Sequence, residues 1–225
     1  MATKPRRAKI LTVLLLLSLA PIAAESAEPH PLVAAARGQV GKTLVYDPAY
    51  VSLAYPGGDV PIDRGVCTDV VIRAFRSAYV QDLQKLLHED MTAHFALYPK
   101  DWGLKKPDRN IDHRRVQNLQ TYFKRQGYAL ALPKKTAATP STPAATAVAP
   151  TARPAAATAD FRPGDLVTCT VPPNMQHIMI VSDRTTSAGL PLVIHNIGQG
   201  AREENRLLEF SMTGHYRVVW RKPPG

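Results

Sequence analysis

The residues with the most chemical content in this chain are one cysteine followed by two histidines. Cys67 lies in Arg64-Gly65-Val66-Cys67-Thr68-Asp69-Val70-Val71-Ile72-Arg73, just past a turn rich in Gly, Pro and Asp. Val66, Val70, Val71, Ala74, Phe75 and Ala78 recur at the spacing of one helix face, which predicts a helix with Cys67 in its first turn. Unpaired N–H groups and the helix dipole favour an anion there, so the thiol is expected to ionise readily. The same N–H groups can hold an oxyanion formed when a thiolate attacks a carbonyl. Cys67 falls in the middle of the apolar face, with Asp69, Arg73 and Arg76 opposite. The competing reading is a small buried core cysteine.

His177 opens Gln176–Asp183, a run that reads as a strand, and alternation places Met179 and Val181 on its face. His195 closes Leu192–Asn196 on the same side as Val193. Neighbouring strands then set two imidazoles side by side, facing the helix that carries Cys67. A thiol, a base to take its proton and a polar group to orient that base are what nucleophilic acyl transfer needs.

The elements that must position these residues divide the chain clearly. Lys4, Arg6, Arg7 and Lys9 precede an apolar run from Ile10 to Ala20 and then small residues, the pattern of a signal peptide over residues 1–27. That run is too short to span a bilayer, and no later segment is apolar enough, so the expectation is a soluble periplasmic or secreted protein. Losing the signal takes four cations from the formal charge of +10 and leaves about +6, which suits an anionic envelope. No basic run interleaved with aromatics and no finger spacing points to nucleic acid. Helices are expected at Pro31–Val40, from Cys67, at Gln81–Leu97 and from Asn110, the last with Asp112 as N-cap. Residues 133–159 collapse to Ala, Thr and Pro and read as a disordered insertion within one domain spanning 28–225. Strands follow at Leu166–Val171, Gln176–Asp183, Leu192–Asn196 and Tyr216–Arg221. Helices first and antiparallel strands afterwards argue for an α+β domain with the helices on one face of the sheet.

Cys67 and Cys169 are the only two cysteines, and an exported chain permits a disulfide between them. Asp69 and Arg73 are placed to pair at i,i+4. The Asp112-His113-Arg114-Arg115 cluster offers either a cap with a salt-bridge network or, through Arg114, a bidentate seat for a substrate carboxylate. His113, His177, His195 and His215 show no metal-binding spacing, and neither a metal nor a cofactor is expected.

The order of these features resembles the NlpC-type papain-like amidases and peptidases. The likeness is carried by Tyr55-Pro56-Gly57-Gly58 upstream of Cys67, by Pro163-Gly164-Asp165-Leu166-Val167 and by His177-Ile178-Met179-Ile180-Val181. The chain is closer still to an exported bacterial domain family of unassigned function related to that superfamily. The shared segments there are Gly65 to Arg73, Ile111-Asp112-His113-Arg114-Arg115, His195-Asn196-Ile197-Gly198 and Gly214-His215-Tyr216-Arg217. The resemblance implies a papain-like α+β fold with Cys67 as nucleophile, His177 as general base and His195 as the orienting residue, Asn196 being next in line. It also implies Tyr55, with Thr68, Asp69 and Arg114, at the oxyanion or substrate site. It departs at Val66-Cys67-Thr68-Asp69, where the superfamily's acidic residue before the cysteine, which helps hold a substrate amine, is absent. The expected function is a monomeric exported cysteine amidase or peptidase acting on an amide bond of the cell envelope, with peptidoglycan or a peptide amide as substrate. The alternative is an envelope-binding module that keeps the fold without activity.

Overall fold

The structure, a computed structural model, describes residues 28–132 and 160–219. The signal-peptide and insertion expectations fall on residues 1–27 and 133–159, outside the described residues. Among the described residues four α-helices come before most of the strands: α1 Pro31–Arg37, α2 Cys67–Tyr79, α3 Leu83–Ala93 and α4 Val116–Arg125. Two residue pairs, β1 Val45–Tyr46 and β2 Arg64–Gly65, run parallel just ahead of α2. The remaining strands are β3 Ala129–Leu130, β4 Leu166–Val171, β5 Met175–Thr185, β6 Pro191–Asn196, β7 Ala201–Glu204 and β8 Ser211–Tyr216. They form one antiparallel sheet in the order β3-β8-β4-β5-β6-β7. The fold is therefore α+β, with helices and a six-stranded antiparallel sheet. No helix among the described residues is long and apolar enough to cross a membrane.

Period-2 alternation in the sheet gives it two apolar faces. Leu166, Ile178, Ile180, Ile194 and Tyr216 pack with Val70, Val71, Ala74 and Phe75 of α2, Leu119 and Phe123 of α4 and Leu32 and Val33 of α1. Val167, Cys169, Met179, Val181 and Val193 lie on the opposite face beneath Phe161 and Leu207. The last strand starts earlier than its sequence suggests, at Ser211 rather than Tyr216. Gly214 hides it, because a glycine beside polar residues reads as a turn. It is required where it stands: a Cβ there would meet the Tyr216 hydroxyl at 2.3 Å and Thr168 Oγ1 at 2.7 Å. β7 was not anticipated, since Ala201-Arg202-Glu203-Glu204 lacks apolar alternation. It is an edge strand, where charge is tolerated.

The helix that carries Cys67 is buried on all sides from Cys67 to Phe75. Its apolar face meets the sheet as expected, but the polar face opposite is also covered, by residues 43–65 and 108–114. Arg73 donates to the Asp59 carboxylate, to Thr43 Oγ1 and to the carbonyls of Val60, Pro61 and Arg64. The expected Asp69–Arg73 pair does not form, because Arg73 is drawn to these loop carbonyls. Asp69 instead accepts from Nε and Nη2 of Arg114, each at 3.0 Å, in a pair with almost no solvent contact. Its Oδ2 also accepts the Val66 N–H at 2.7 Å, the acidic half of a capping box. Gly65 sits at φ 150°, and a Cβ there would come within 2.9 Å of Asp69 Oδ2, so glycine alone permits this close turn.

Asp112 is not the N-cap of α4. It lies in a 3-10 turn, Asp112–Arg114, where its carboxylate accepts from the Asp108 N–H and from Arg115. The salt-bridge reading of the 112–115 cluster is therefore the observed one for Arg114.

Removing one partner of a buried ion pair strands the other charge, so Asp69→Ala is expected to cost roughly 3–5 kcal/mol in urea unfolding. The double variant Asp69→Ala/Arg114→Met should recover part of that loss. Equal stability of Asp69→Ala and the unmodified protein would show that the pair does not hold α2 in place.

Candidate functional site

Cys67 is the first residue of α2 and lies on the wall of an open cleft of about 280 Å³. Tyr46, Val66, Trp102, Arg114, Arg115, Gln117 and Gln176 also line it. A larger hollow of about 710 Å³ around His88 and residues 103–110 contains none of the candidate catalytic residues. The Cys67 sulfur faces the backbone N–H groups of Ile178, of Thr68 and of Cys67 itself, all of which favour the thiolate. Burial opposes them and prevails, pushing the Cys67 thiol up to about 12. The expectation of a readily ionised thiol is thus corrected: three N–H groups do not offset the desolvation of a side chain sealed against the sheet. Cys169 is pushed to about 12 by burial as well, and both cysteines are free thiols rather than a disulfide.

The sulfur meets β5 where that strand has lost one neighbour. Pairing of β5 with β6 runs through Val181–Val193 and ends at Ile180–Ile194, short of His177. Past that end the two histidines make contact. His177 Nε2 lies 2.7 Å from His195 Nδ1, with the rings edge-on, and both side chains are buried. His177 shares its face with Cys169, Met179 and Val181, and His195 shares its face with Val193. That face lies across the sheet from α2, so the expectation that both imidazoles face the helix carrying Cys67 is corrected in this respect. The nitrogen of His177 not bonded to His195, Nδ1, has no hydrogen-bond partner, and no hydrogen bond joins it to Cys67.

A fourth member of this arrangement was missed in the sequence. Glu204 Oε1 stands 3.2 Å from His195 Nε2, at ion-pair distance though off the angle of a good hydrogen bond, and Arg206 Nε lies 3.3 Å from the same oxygen. A carboxylate at that nitrogen favours a proton on His195 Nε2, which leaves His195 Nδ1 to accept from His177 Nε2–H. In that tautomer His177 Nδ1 carries a lone pair. Burial holds both rings neutral: His177 is lowered to about 3, with the neighbouring His195 and Arg206 contributing, and His195 to about 4 despite Glu204. Glu204 belongs to the unanticipated edge strand β7, and its only signal in the sequence was an acidic residue shortly after His195.

The other expected site residues are placed elsewhere. Asn196 does not orient His177. Its Nδ2 donates to the Gly65 carbonyl at 2.9 Å and its Oδ1 accepts from Gly198, so it anchors the turn before Cys67. Thr68 donates to the Arg114 carbonyl, and Asp69 and Arg114 are occupied with each other. Arg114 also donates to the carbonyls of Ala49 and Asp47. Tyr55 is absent from the cleft: its ring packs edge-on to His88, beneath Arg109. The tyrosine beside Cys67 is Tyr46, whose hydroxyl lies 3.9 Å from Met175 Sδ and whose pKa is raised to about 12, first by burial and then by Cys67. Tyr46 is far from Cys67 in sequence, and only the β1–β2 pairing brings it there. Among the described residues no group of three or more His, Cys, Asp or Glu side chains is arranged to hold a metal ion.

Residues 33–218 match a family described as "Domain of unknown function (DUF1287)". The chain belongs to this family. The protein named "Uncharacterized protein YijF" of Escherichia coli (strain K12) is 52% identical over 182 residues, which cover 81% of this chain and 78% of the relative. No solved structure matches. The family match spans Cys67, His177, His195 and Glu204 together, so the whole arrangement lies within the family's domain.

Two pH responses follow. Alkylation of Cys67 by iodoacetamide in the ligand-free protein should be slow at pH 7 and rise about tenfold per pH unit to at least pH 10, because the thiol is raised towards 12. A plateau below pH 8 would contradict that environment. His177 and His195 have folded pKa values below their ordinary 6.5, so the stability they contribute is present above 6.5 and is lost as pH falls towards 4 and 3. The melting temperature should therefore drop between pH 7 and pH 4, and a flat profile over that range would show that these rings are not held neutral.

Proposed function

We propose that the protein is a cysteine amidase or peptidase of papain-like, NlpC-type architecture, with Cys67 as nucleophile and an envelope amide, in peptidoglycan, as substrate. One observation carries the reading: the Cys67 sulfur meets the backbone at Ile178, next to His177, whose unused Nδ1 ends a His177–His195–Glu204 chain. In this scheme His177 Nδ1 takes the thiol proton, and the resulting imidazolium is stabilised through Nε2–H by His195, itself held by Glu204. The thiolate attacks the amide carbonyl, the amine leaves with the proton from His177, and water then releases the acyl group from sulfur. The first N–H groups of α2, which face the sulfur, would receive the oxyanion, and Tyr46 lines the same cleft. His177 lies on the sheet face away from Cys67, so the proton transfer requires the end of β5 to turn and bring the ring to the sulfur's side once substrate occupies the cleft. Catalytic contacts in ligand-free enzymes are often longer than in the complex. An exported, periplasmic or secreted location accords with the leader-like pattern of residues 1–27.

A second reading has its own support. The thiol at about 12 and the histidines on the face away from α2 suit a module that binds envelope polymer without cutting it. The two readings part in one experiment: incubation of purified peptidoglycan fragments with the protein, followed by mass spectrometry. On the amidase reading new termini appear, Cys67→Ala and His177→Ala abolish them (a loss of about 10⁴-fold or more), and Glu204→Gln slows the reaction about tenfold. Fragments that are retained by the protein but never shortened would decide for the binding module.

A further inference from the structure

The cleft beside Cys67 has a charge character that the catalytic scheme does not use. Two arginines line it, and no aspartate or glutamate does. Arg114 is engaged within the fold, with Nε and Nη2 on Asp69, Nη2 also on the Asp47 carbonyl and Nη1 on the Ala49 carbonyl, and its side chain is 2% exposed. Arg115 differs. Its Nη1 donates to Asp112 Oδ1 at 3.0 Å and its guanidinium carbon stands 4.0 Å from the centre of the Trp102 ring. Its Nε and Nη2 donate to no other described residue, and its side chain remains 15% exposed. A planar fork stacked on an aromatic ring and held by one nitrogen loses little freedom on receiving a second partner, and it matches the plane of a carboxylate. Arg115 also precedes α4, whose first turn holds no acidic residue and whose start no side chain caps, so the local field adds to the guanidinium. On the other side of the sulfur, the residue before Cys67 is Val66, which offers no counter-charge to an amine.

We infer that the substrate of Cys67 carries a carboxylate near the scissile amide, and that Arg115, stacked on Trp102, receives it. The inference rests on the amidase reading for the identity of the scissile bond, but the binding site itself does not require catalysis. Arg115 is the part of the 112–115 cluster that the cleft leaves available, whereas Arg114 is withdrawn into the ion pair with Asp69.

The test uses Cys67→Ala protein, which cannot turn over, and peptidoglycan stem-peptide fragments with free carboxylates, compared with the same fragments converted to carboxamides. The pair is nearly isosteric and differs in charge. Calorimetry should show the carboxylate form bound at least about tenfold more tightly, with the difference shrinking as salt is raised. Arg115→Gln on the same background should reduce the preference to under about threefold, and Trp102→Ala should weaken it. Equal binding of the two forms by Cys67→Ala protein overturns the inference without reference to any Arg115 variant, as does a preference unchanged in folded Arg115→Gln protein. The outcomes also separate the two readings. A carboxylate preference with no cleavage by the unmodified protein would sink the amidase and keep this site. Cleavage without any preference would sink this site and keep the amidase.

Discussion

The buried contact between Asp69 and Arg114 is the constraint on which the rest of the site depends. Asp69 is the third residue of α2, and its carboxylate serves two purposes in one place: it accepts the Val66 N–H and two donors of Arg114. The first fixes the turn that leads into the helix. The second ties that turn to the segment ahead of α4, some 45 residues later, and through the remaining Arg114 donors to the carbonyls of Asp47 and Ala49. A buried pair of this kind adds little net stability compared with an apolar pair, but it tolerates few alternative geometries. Its consequence is positional: Cys67, two residues before Asp69, is held with its sulfur against β5. Asn196 adds a second tether from the sheet side by holding the Gly65 carbonyl.

Burial that positions the Cys67 sulfur also keeps it protonated. The same packing that fixes Cys67 raises the thiol and lowers His177, so the resting site stores its proton on sulfur. Desolvation is the leading cause for both groups, which means that the entry of a polar substrate or of water would move both pKa values back towards their ordinary range. The chain from His177 through His195 to Glu204 then matters for a reason beyond orientation. Glu204 is half-buried at the sheet edge, and among the described residues it is the acidic side chain that stands against the two rings.

Much of the architecture was legible from the residues themselves. The helical period from Val66 to Ala78 located α2 and put Cys67 in its first turn, and the apolar runs located β4, β5 and β6 within one or two residues. The His177–His195 neighbour relation followed from their places on adjacent strands. Elements that break the simple patterns were not legible. β8 contains a glycine that is there for close packing, and β7 is a short charged edge. Asp112 has the residue type of a cap but is spent on the 3-10 turn ahead of the helix.

Chain-local chemistry is what the sequence by itself determined: periodicity, turn residues and the types of side chain available to a site. Choices among partners belonged to the tertiary structure, because they depend on which distant segment fills a given space. Asp69 chose Arg114 over the nearby Arg73, since loop carbonyls on the polar side of α2 claimed Arg73. Tyr46 rather than Tyr55 came to stand beside Cys67, because the β1–β2 pairing carries residue 46 there while Tyr55 packs on His88. The protonation state of the site was decided the same way. A thiol at a helix start is expected to ionise from local N–H groups alone, but desolvation is set by everything packed around it, and here it is the larger effect.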